Sequence, residues 1–330
     1  MKVLVIRAGR TGDMVMLTPA LIALFKKYPE AEFTLLTSPD GKRTLGDFSP
    51  RIIRFWIYNR EKVFSFLSRG SIQKKITEAQ FDHVYCFEHN PSFQRLLADS
   101  EAEVHSFWQD MGQKHYCQLL LDVVSNGAET SNDQTYVSLP VSDQAKNKTM
   151  QALAGLGITE KTFLLAMHPT FSGAQKRFRT TGDKKNKLWP PESFAELAQR
   201  LKEYAKRTDF DLRIIMNLMP DECAYGEKIL ALGGESLEIF SPKPNFQNYK
   251  AFLKRVDLLL TPDTGPMHIA SAVGTKILAL FAGRDPGNSG PFTPSEQAQI
   301  FCAEETNHPE LGIAAITVDD VYTACIKIIG

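Results

Sequence analysis

"LLLTPDTGPMHIASAVG", residues 258 to 274, is the stretch that decides the fold. Three leucines read as the end of a buried strand. A Thr-Pro-Asp-Thr-Gly-Pro turn follows at once, then an apolar helix with a histidine in its first turn. Strand, tight turn and helix in succession are the building unit of α/β proteins. Ligands of open α/β sheets bind at the carboxyl ends of the strands. Asp263, Thr264, Gly265 and His268 therefore stand where a ligand would be met.

The flanking sequence repeats the unit. "TFLLAMHP" (162–169), "DLRIIMN" (211–217) and "KILALFA" (276–282) read as strands. Residues 190–207 read as a helix opened by prolines, with Phe194, Leu197, Ala198, Leu201 and Tyr204 on one face. "TVDDVYTACIKII" (317–329) is a last helix, with Thr317 and Asp320 spaced as a capping box. An earlier series fills the first part of the chain. "KVLVIR" (2–7), "EFTLLT" (32–37), "RIIRFWIY" (51–58) and "DHVYCFE" (82–88) are strands, and "AEVHSF" (102–107) a weaker one. "GDMVMLTPALIALFKKYP" (12–29) reads as a helix that Pro19 kinks or breaks. Two βαβ series predict an α/β chain of two Rossmann-like, doubly wound domains, residues 1–158 and 159–330, facing each other across a ligand cleft.

The bulk composition agrees. The 330 residues exceed what one core usually organises. At 43% hydrophobic, 23% charged and a formal net charge of +0, the chain is ordinary globular material. That balance argues against a nucleic-acid partner. The five cysteines are odd in number and contain no CxxC pair, so reduced thiols and no metal site are expected. The apolar run at the N-terminus is too short for a signal peptide or a membrane span, and no later run reaches spanning length. Any membrane contact is expected to be peripheral.

Five segments carry candidate chemistry. In "RAGRTGDMV" (7–15), Gly9 and Gly12 permit close approach to the loop after the first strand. The spacing is not the dinucleotide fingerprint, which demotes NAD binding. Asp13 reads either as an acid favoured at a helix start or as a general base. Segment 168–191 holds basic residues at 176, 177, 179, 184, 185 and 187. Most read as solvated, but Lys187, just before Trp189, is placed to meet a phosphate. In "MNLMPDECAYGEK" (216–228), Glu222 is either a helix cap or an acceptor of ribose hydroxyls. Asp263 to His268 form an anion site at a helix N-terminus, with Thr264 adding a hydroxyl and Pro266 at a favoured first-turn position. His268 is either a structural histidine or a phosphate donor. "FAGRDPGNSGPF" (281–292) lines a ligand by position only.

Taken in order, "RAGRTGDMVMLTPALIALFKKYPEAEFTLLTSP", "KLWPPESFAELAQRL", "MPDECAYGEKI" and "TPDTGPMHIASAVGTKILALFAGRDP" resemble the ADP-heptose:lipopolysaccharide heptosyltransferases, glycosyltransferase family 9. The resemblance implies a GT-B fold, with a last helix that crosses back to the N-terminal domain. It implies an inverting, metal-independent transfer of heptose from ADP-heptose to a lipopolysaccharide core acceptor, with no cofactor. Asp13 then corresponds to the catalytic base. Lys187 meets the donor phosphates, with Lys184 and Lys185 as competitors in a loop longer than usual. Glu222 binds the ribose, and Asp263, Thr264, Gly265, Pro266, Met267 and His268 form the diphosphate turn. Acceptor contacts are expected from Arg10, Thr11, Gly12, Arg60 and Lys62, with Arg54, Glu88 and His89 as further candidates. A cytoplasmic monomer touching the inner-membrane surface transiently is the default expectation. The alternatives keep the fold but change the nucleotide sugar or the polysaccharide acceptor, or make the chain a nucleotide binder without turnover.

Overall fold

The computed structural model describes residues 1–58, 65–106, 113–126, 135–170, 188–218 and 222–330, with side chains of 65–69 excepted. The chain forms two compact units, Met1–Pro140 and Val141–Gly330.

The first unit is a five-stranded sheet with its helices: β1 (Lys2–Arg7), α1 (Thr11–Met16), α2 (Thr18–Lys27), β2 (Glu32–Thr37), α3 (Pro39–Leu45), β3 (Ile52–Ile57), α4 (Ser65–Ala79), β4 (His83–Cys86), α5 (Pro91–Leu96), β5 (Glu103–Ser106) and α6 (Tyr116–Ser125). Every pairing is parallel, in the order β3-β2-β1-β4-β5. Val3, Leu4, Val5 and Ile6 of the central strand are all buried, as an unbroken apolar run requires when both faces of a sheet are covered. The helix expected over 12–29 is two helices that meet at Leu17. Pro19 sits in the first turn of α2, where a missing N–H costs nothing. The Thr18 hydroxyl donates to the Val15 carbonyl at 2.7 Å and closes the corner. The outermost strands carry exposed aliphatic side chains, Ile53 and Ile57 on β3 and Val104 on β5.

The second unit begins with α7 (Asp143–Ala154), capped by the Ser142 hydroxyl. The sequence reading placed this helix before the domain junction; it packs on α10 (Phe246–Arg255), with the Thr149 hydroxyl donating to the Asn248 carbonyl at 3.3 Å. The other elements are β6 (Phe163–Met167), α8 (Pro191–Thr208), β7 (Leu212–Asn217), α9 (Cys223–Gly233), β8 (Glu238–Phe240), β9 (Leu258–Pro262), α11 (Gly265–Val273), β10 (Lys276–Phe281), α12 (Pro286–Ser289), β11 (Ala298–Cys302) and α13 (Val318–Ile329). The six strands are parallel in the order β11-β10-β9-β6-β7-β8. Leu165, Met167, Trp189, Phe194, Leu201, Leu260, Leu278 and Val321 belong to one buried cluster. The last helix, α13, packs on α8 inside this unit: Arg200 reaches Asp319 at 2.7 Å and lies over the Tyr322 ring.

Both sheets start in the middle and wind outward in two directions. The direction reverses between β1 and β4 in the first unit and between β6 and β9 in the second. Such reversals open a crevice at the carboxyl ends of the two central strands, where ligands of doubly wound sheets bind. Among the described residues no helix is long and apolar enough to cross a membrane. All five cysteines are free, and Cys86, Cys117 and Cys325 are buried.

Candidate active site

Each unit concentrates its functional side chains at its own reversal point. In the first, β1 ends at Arg7 and runs into the loop before α1, while β4 runs into Phe87 and Glu88. Arg7 ties the two together. Its Nη2 donates to Asp13 Oδ1 at 2.8 Å, its Nη1 donates to the Phe87 carbonyl at 3.2 Å, and Glu88 Oε1 lies 3.6 Å away. Glu88 is 3% exposed and accepts the Ala8 N–H at 2.6 Å. Tyr116 of α6 donates to the same Phe87 carbonyl and sets its ring 4.9 Å from the guanidinium. Burial works against the Arg7 cation, but Tyr116, Asp13 and Glu88 outweigh it and raise its pKa. Burial also raises the pKa of Tyr116, so that ring stays neutral.

Asp13 is thereby held at both oxygens, because Oδ2 accepts the Arg10 N–H at 2.8 Å. The helix-start reading of this acid is real, and it does not use the residue up: the side chain keeps 35% exposure. Gly9 makes the arrangement possible. A Cβ at that position would lie 2.8 Å from Asp13 Cγ. The Ser38 hydroxyl fixes the loop by donating to the Gly9 carbonyl at 2.6 Å. Arg10 is exposed beside Asp13, Gly12 is half-buried, and Thr11 Oγ1 accepts from Arg43 at 3.1 Å. Arg60 and Lys62 lie outside the described residues. Glu88, expected as an acceptor contact, is instead a buried anchor. Its neighbour His89 is largely exposed, with a pKa lowered by partial desolvation of the ring and by Arg7.

In the second unit, β6 delivers His168, β7 leads to Glu222, and β9 delivers Asp263 and Thr264. His168 is buried, its N–H bonded to the Leu260 carbonyl at 2.9 Å and its Nδ1 3.3 Å from the Asn217 carbonyl. Burial lowers its pKa, opposed by the nearby Glu222 carboxylate. Glu222 precedes α9 but makes no side-chain cap bond, so the capping alternative falls. It is 8% exposed, and its charge acts on His168 and on Tyr249 of α10, whose pKa rises through burial first and Glu222 second.

The quoted turn has an inner and an outer side. Thr264 is extended at the N-cap of α11, its hydroxyl donating to the Pro262 carbonyl and lying 3.2 Å from Thr261 Oγ1. Asp263 is nearly buried, 3.7 Å from Arg284 beyond the end of β10. Pro266 has no N–H, and that of Met267 goes to the Thr264 carbonyl. Gly265, first in the helix, has an N–H with no acceptor inside the helix. Among the described residues, a Cβ on Gly265 would meet nothing within 4 Å, so they leave this side open to an approaching group. Met267 is fully buried and His268 nearly so, which makes Met267 a packing residue rather than a side-chain contact for a ligand.

Lys187, with Lys184, Lys185 and Asp221, lies outside the described residues. The chain beside it is firmly placed. Trp189 is 1% exposed, donates its Nε1 hydrogen to the Ile316 carbonyl at 2.8 Å and packs edge-on against Phe194. Tyr225 donates its hydroxyl to the Trp189 carbonyl at 2.9 Å. The sequence reading missed Arg7, His168, Tyr249 and Arg284. Arg7, Arg284 and His168 had a signal, each being a polar residue at or just past the end of an apolar strand. The first unit thus offers an oriented carboxylate. The second offers a helix N-terminus, a hydroxyl and a sequestered acid, a set suited to an anion that also bears hydroxyl groups.

Comparison with known proteins places these features in a family. The model of glycosyltransferase family 9 (heptosyltransferase) matches residues 92–317, from α5 to the start of α13. The lipopolysaccharide core heptosyltransferase OpsX of Haemophilus influenzae is 30% identical over 129 residues, which is 39% of this chain and 36% of that protein. The match therefore spans about a third of that relative's length. A family 9 glycosyl transferase from Veillonella parvula superposes with a TM-score of 0.82 at 17% identity, covering 99% of this chain and 97% of that one. The E. coli ADP-heptose lps heptosyltransferase II gives 0.76 at 16% identity, covering 100% and 98%. E. coli heptosyltransferase WaaC, solved with ADP, gives 0.72 at 16% identity, covering 99% and 100%. These structures share the α/β architecture of two parallel sheets expected as GT-B. On the family match, the chain belongs to glycosyltransferase family 9, the heptosyltransferases.

Proposed function

We propose that the chain is an inverting glycosyltransferase that moves heptose from ADP-heptose to a lipopolysaccharide core acceptor. The observation that carries this reading is the Asp13 carboxylate, held at both oxygens by Arg7 and the Arg10 N–H yet still reachable. An acceptor hydroxyl hydrogen-bonded to Asp13 gives up its proton as its oxygen attacks the anomeric carbon. The bond from that carbon to the diphosphate breaks, and ADP leaves with the electron pair. Arg7 is a positioning residue, since it fixes the carboxylate without facing the acceptor itself.

The second unit takes the donor. The Gly265 N–H meets the diphosphate together with Lys187 and stabilises the charge that develops on it; the Thr264 hydroxyl joins them when it turns from the Pro262 carbonyl to the phosphate. Glu222 accepts the ribose hydroxyls. Arg10, Thr11 and Gly12 receive the acceptor, with Arg60 and Lys62. Protein donors carry the phosphate charge in this scheme, so transfer runs without a metal or a cofactor. The acceptor is a membrane lipid, which places the enzyme at the cytoplasmic face of the inner membrane during turnover. Support for ADP-heptose comes from the family and from WaaC, solved with ADP and with ADP-2-deoxy-2-fluoro heptose.

The test is calorimetric titration with ADP, UDP, GDP and NAD in the presence of a chelator, followed by transfer assays with ADP-heptose. Selective ADP binding is expected. Asp13→Ala should lose about 10²–10⁴-fold in rate while ADP affinity stays within about twofold. A preference for UDP or GDP would discard the heptose donor, and an unchanged rate in Asp13→Ala would discard the base.

A further inference from the structure

We propose that His83, Glu103 and His105 form a site for one divalent cation of borderline softness, Zn²⁺ above all, on the first unit. None of these residues belongs to the transfer machinery. His83 opens β4 and Glu103 opens β5, so the cluster lies toward the amino ends of these strands. Asp13 follows the carboxyl end of β1, at the opposite edge of the parallel sheet. The register pairs His83 with Glu103 and Tyr85 with His105. Strand alternation then sets all four side chains on one face.

The distances support a shared centre. His83 Nδ1 lies 3.3 Å from Glu103 Oε2, His105 Nε2 lies 3.5 Å from Glu103 Oε1, and the two ring nitrogens are 3.4 Å apart. All the ligand atoms fall within 4.8 Å of one another. Tetrahedral zinc with bonds of about 2.0–2.1 Å separates its ligands by about 3.3–3.4 Å. Hydrogen bonds between nitrogen and oxygen prefer about 2.7–3.2 Å. The ring nitrogens stand at about the tetrahedral separation, and Glu103 turns one carboxylate oxygen toward each of them, so that either oxygen can join the two rings around one ion.

The rings are oriented in advance. Tyr28 stacks on His83 with centroids 4.8 Å apart, and Tyr85 stacks on His105 at 4.4 Å and 13°. Lys27, the cation on this face, is held by the Val124 carbonyl at 2.8 Å and the Tyr85 hydroxyl at 3.2 Å. Glu103 is 62% exposed, so the fourth position faces solvent and takes water. The ion would clamp the four-residue edge strand β5 to β4.

The test is calorimetric titration of the chelator-treated, full-length protein with ZnCl₂ in a non-coordinating buffer. One equivalent is expected per chain, with a rise in Tm. The double variant His83→Asn/His105→Asn should lose that equivalent, and Glu103→Gln, at an exposed position, should weaken it about tenfold or more. Asp13→Ala should bind Zn²⁺ as the parent does, which separates this site from the transfer reaction. Absence of a one-to-one isotherm in the parent, or undiminished binding in Glu103→Gln and the folded double variant, would overturn the assignment.

Discussion

At Gly9 the missing side chain makes room for the protein's own Asp13, whereas at Gly265 it leaves space that no described residue fills at a helix N-terminus. One substitution should therefore act differently at the two positions. Gly9→Ala pushes the Asp13 carboxylate off its two donors, and its kcat is expected to fall about 10²-fold, as small misplacements of reacting groups do. Gly265→Ala should fold at least as well as the parent, because alanine in a helix gains about 0.5–1 kcal/mol over glycine. Its ADP affinity should nevertheless drop about tenfold, or 1.4 kcal/mol. Thermal denaturation beside ADP titration checks both; an unchanged affinity in Gly265→Ala would remove the turn from the donor site. His168 makes a pH-dependent contribution. Burial keeps it neutral in the folded chain, with its pKa lowered. In the unfolded chain it takes up a proton below about pH 6.5. The unfolded state then binds more protons, so stability is fully present above about pH 6.5 and is lost as pH falls toward the folded pKa. Between about pH 7 and 5 the Tm of the parent should fall more steeply than that of His168→Gln. Parallel slopes would show that another group governs the acid limb.

At the scale of elements, Trp189 joins α8, α9 and the segment leading into α13 through its ring, its N–H and its carbonyl. Trp189→Ala empties a fully buried position and leaves the Ile316 carbonyl without its donor. It is expected to cost about 3–5 kcal/mol in urea denaturation. A loss under about 1 kcal/mol would mean that the helices hold one another without it. This junction also shows what a sequence discloses. The strand runs, the Asp-Thr-Gly-Pro turn and the Thr317 cap were legible, because each depends on neighbours a few residues away. The distant partners of Arg7 and Glu222 were not. Arg7 meets Glu88 because β1 and β4 are adjacent, and Tyr249 feels Glu222 because α10 leads from the edge strand β8 back to β9, across the second sheet's reversal. Strand order decides such pairs, and no local pattern announces it. The break at Leu17 was half legible: Pro19 signalled a disruption, but its place in the first turn of a new helix depends on the corner made by Thr18.

At the scale of the whole molecule, each unit has its own central strand, reversal point and buried cluster. Residues 141–330 hold His168, Glu222 and the Gly265 turn, and that fragment made alone is expected to fold and to bind ADP within about tenfold of the full chain, without transfer activity. Calorimetry on the purified fragment decides; ADP binding restricted to the full chain would show that the first unit supplies donor contacts.

The two outermost strands of the first sheet set a hazard of another kind. Among the described residues, no strand pairs with the outer sides of β3 and β5, next to Ile53, Ile57 and Val104. An edge of that composition is a template on which a neighbouring nascent chain can add a strand. Exposed Arg54 on one edge and Glu103 on the other would have to give up their hydration for such an addition to proceed. Their charges act against misassembly in a crowded cell, a role decided before the molecule has bound any sugar.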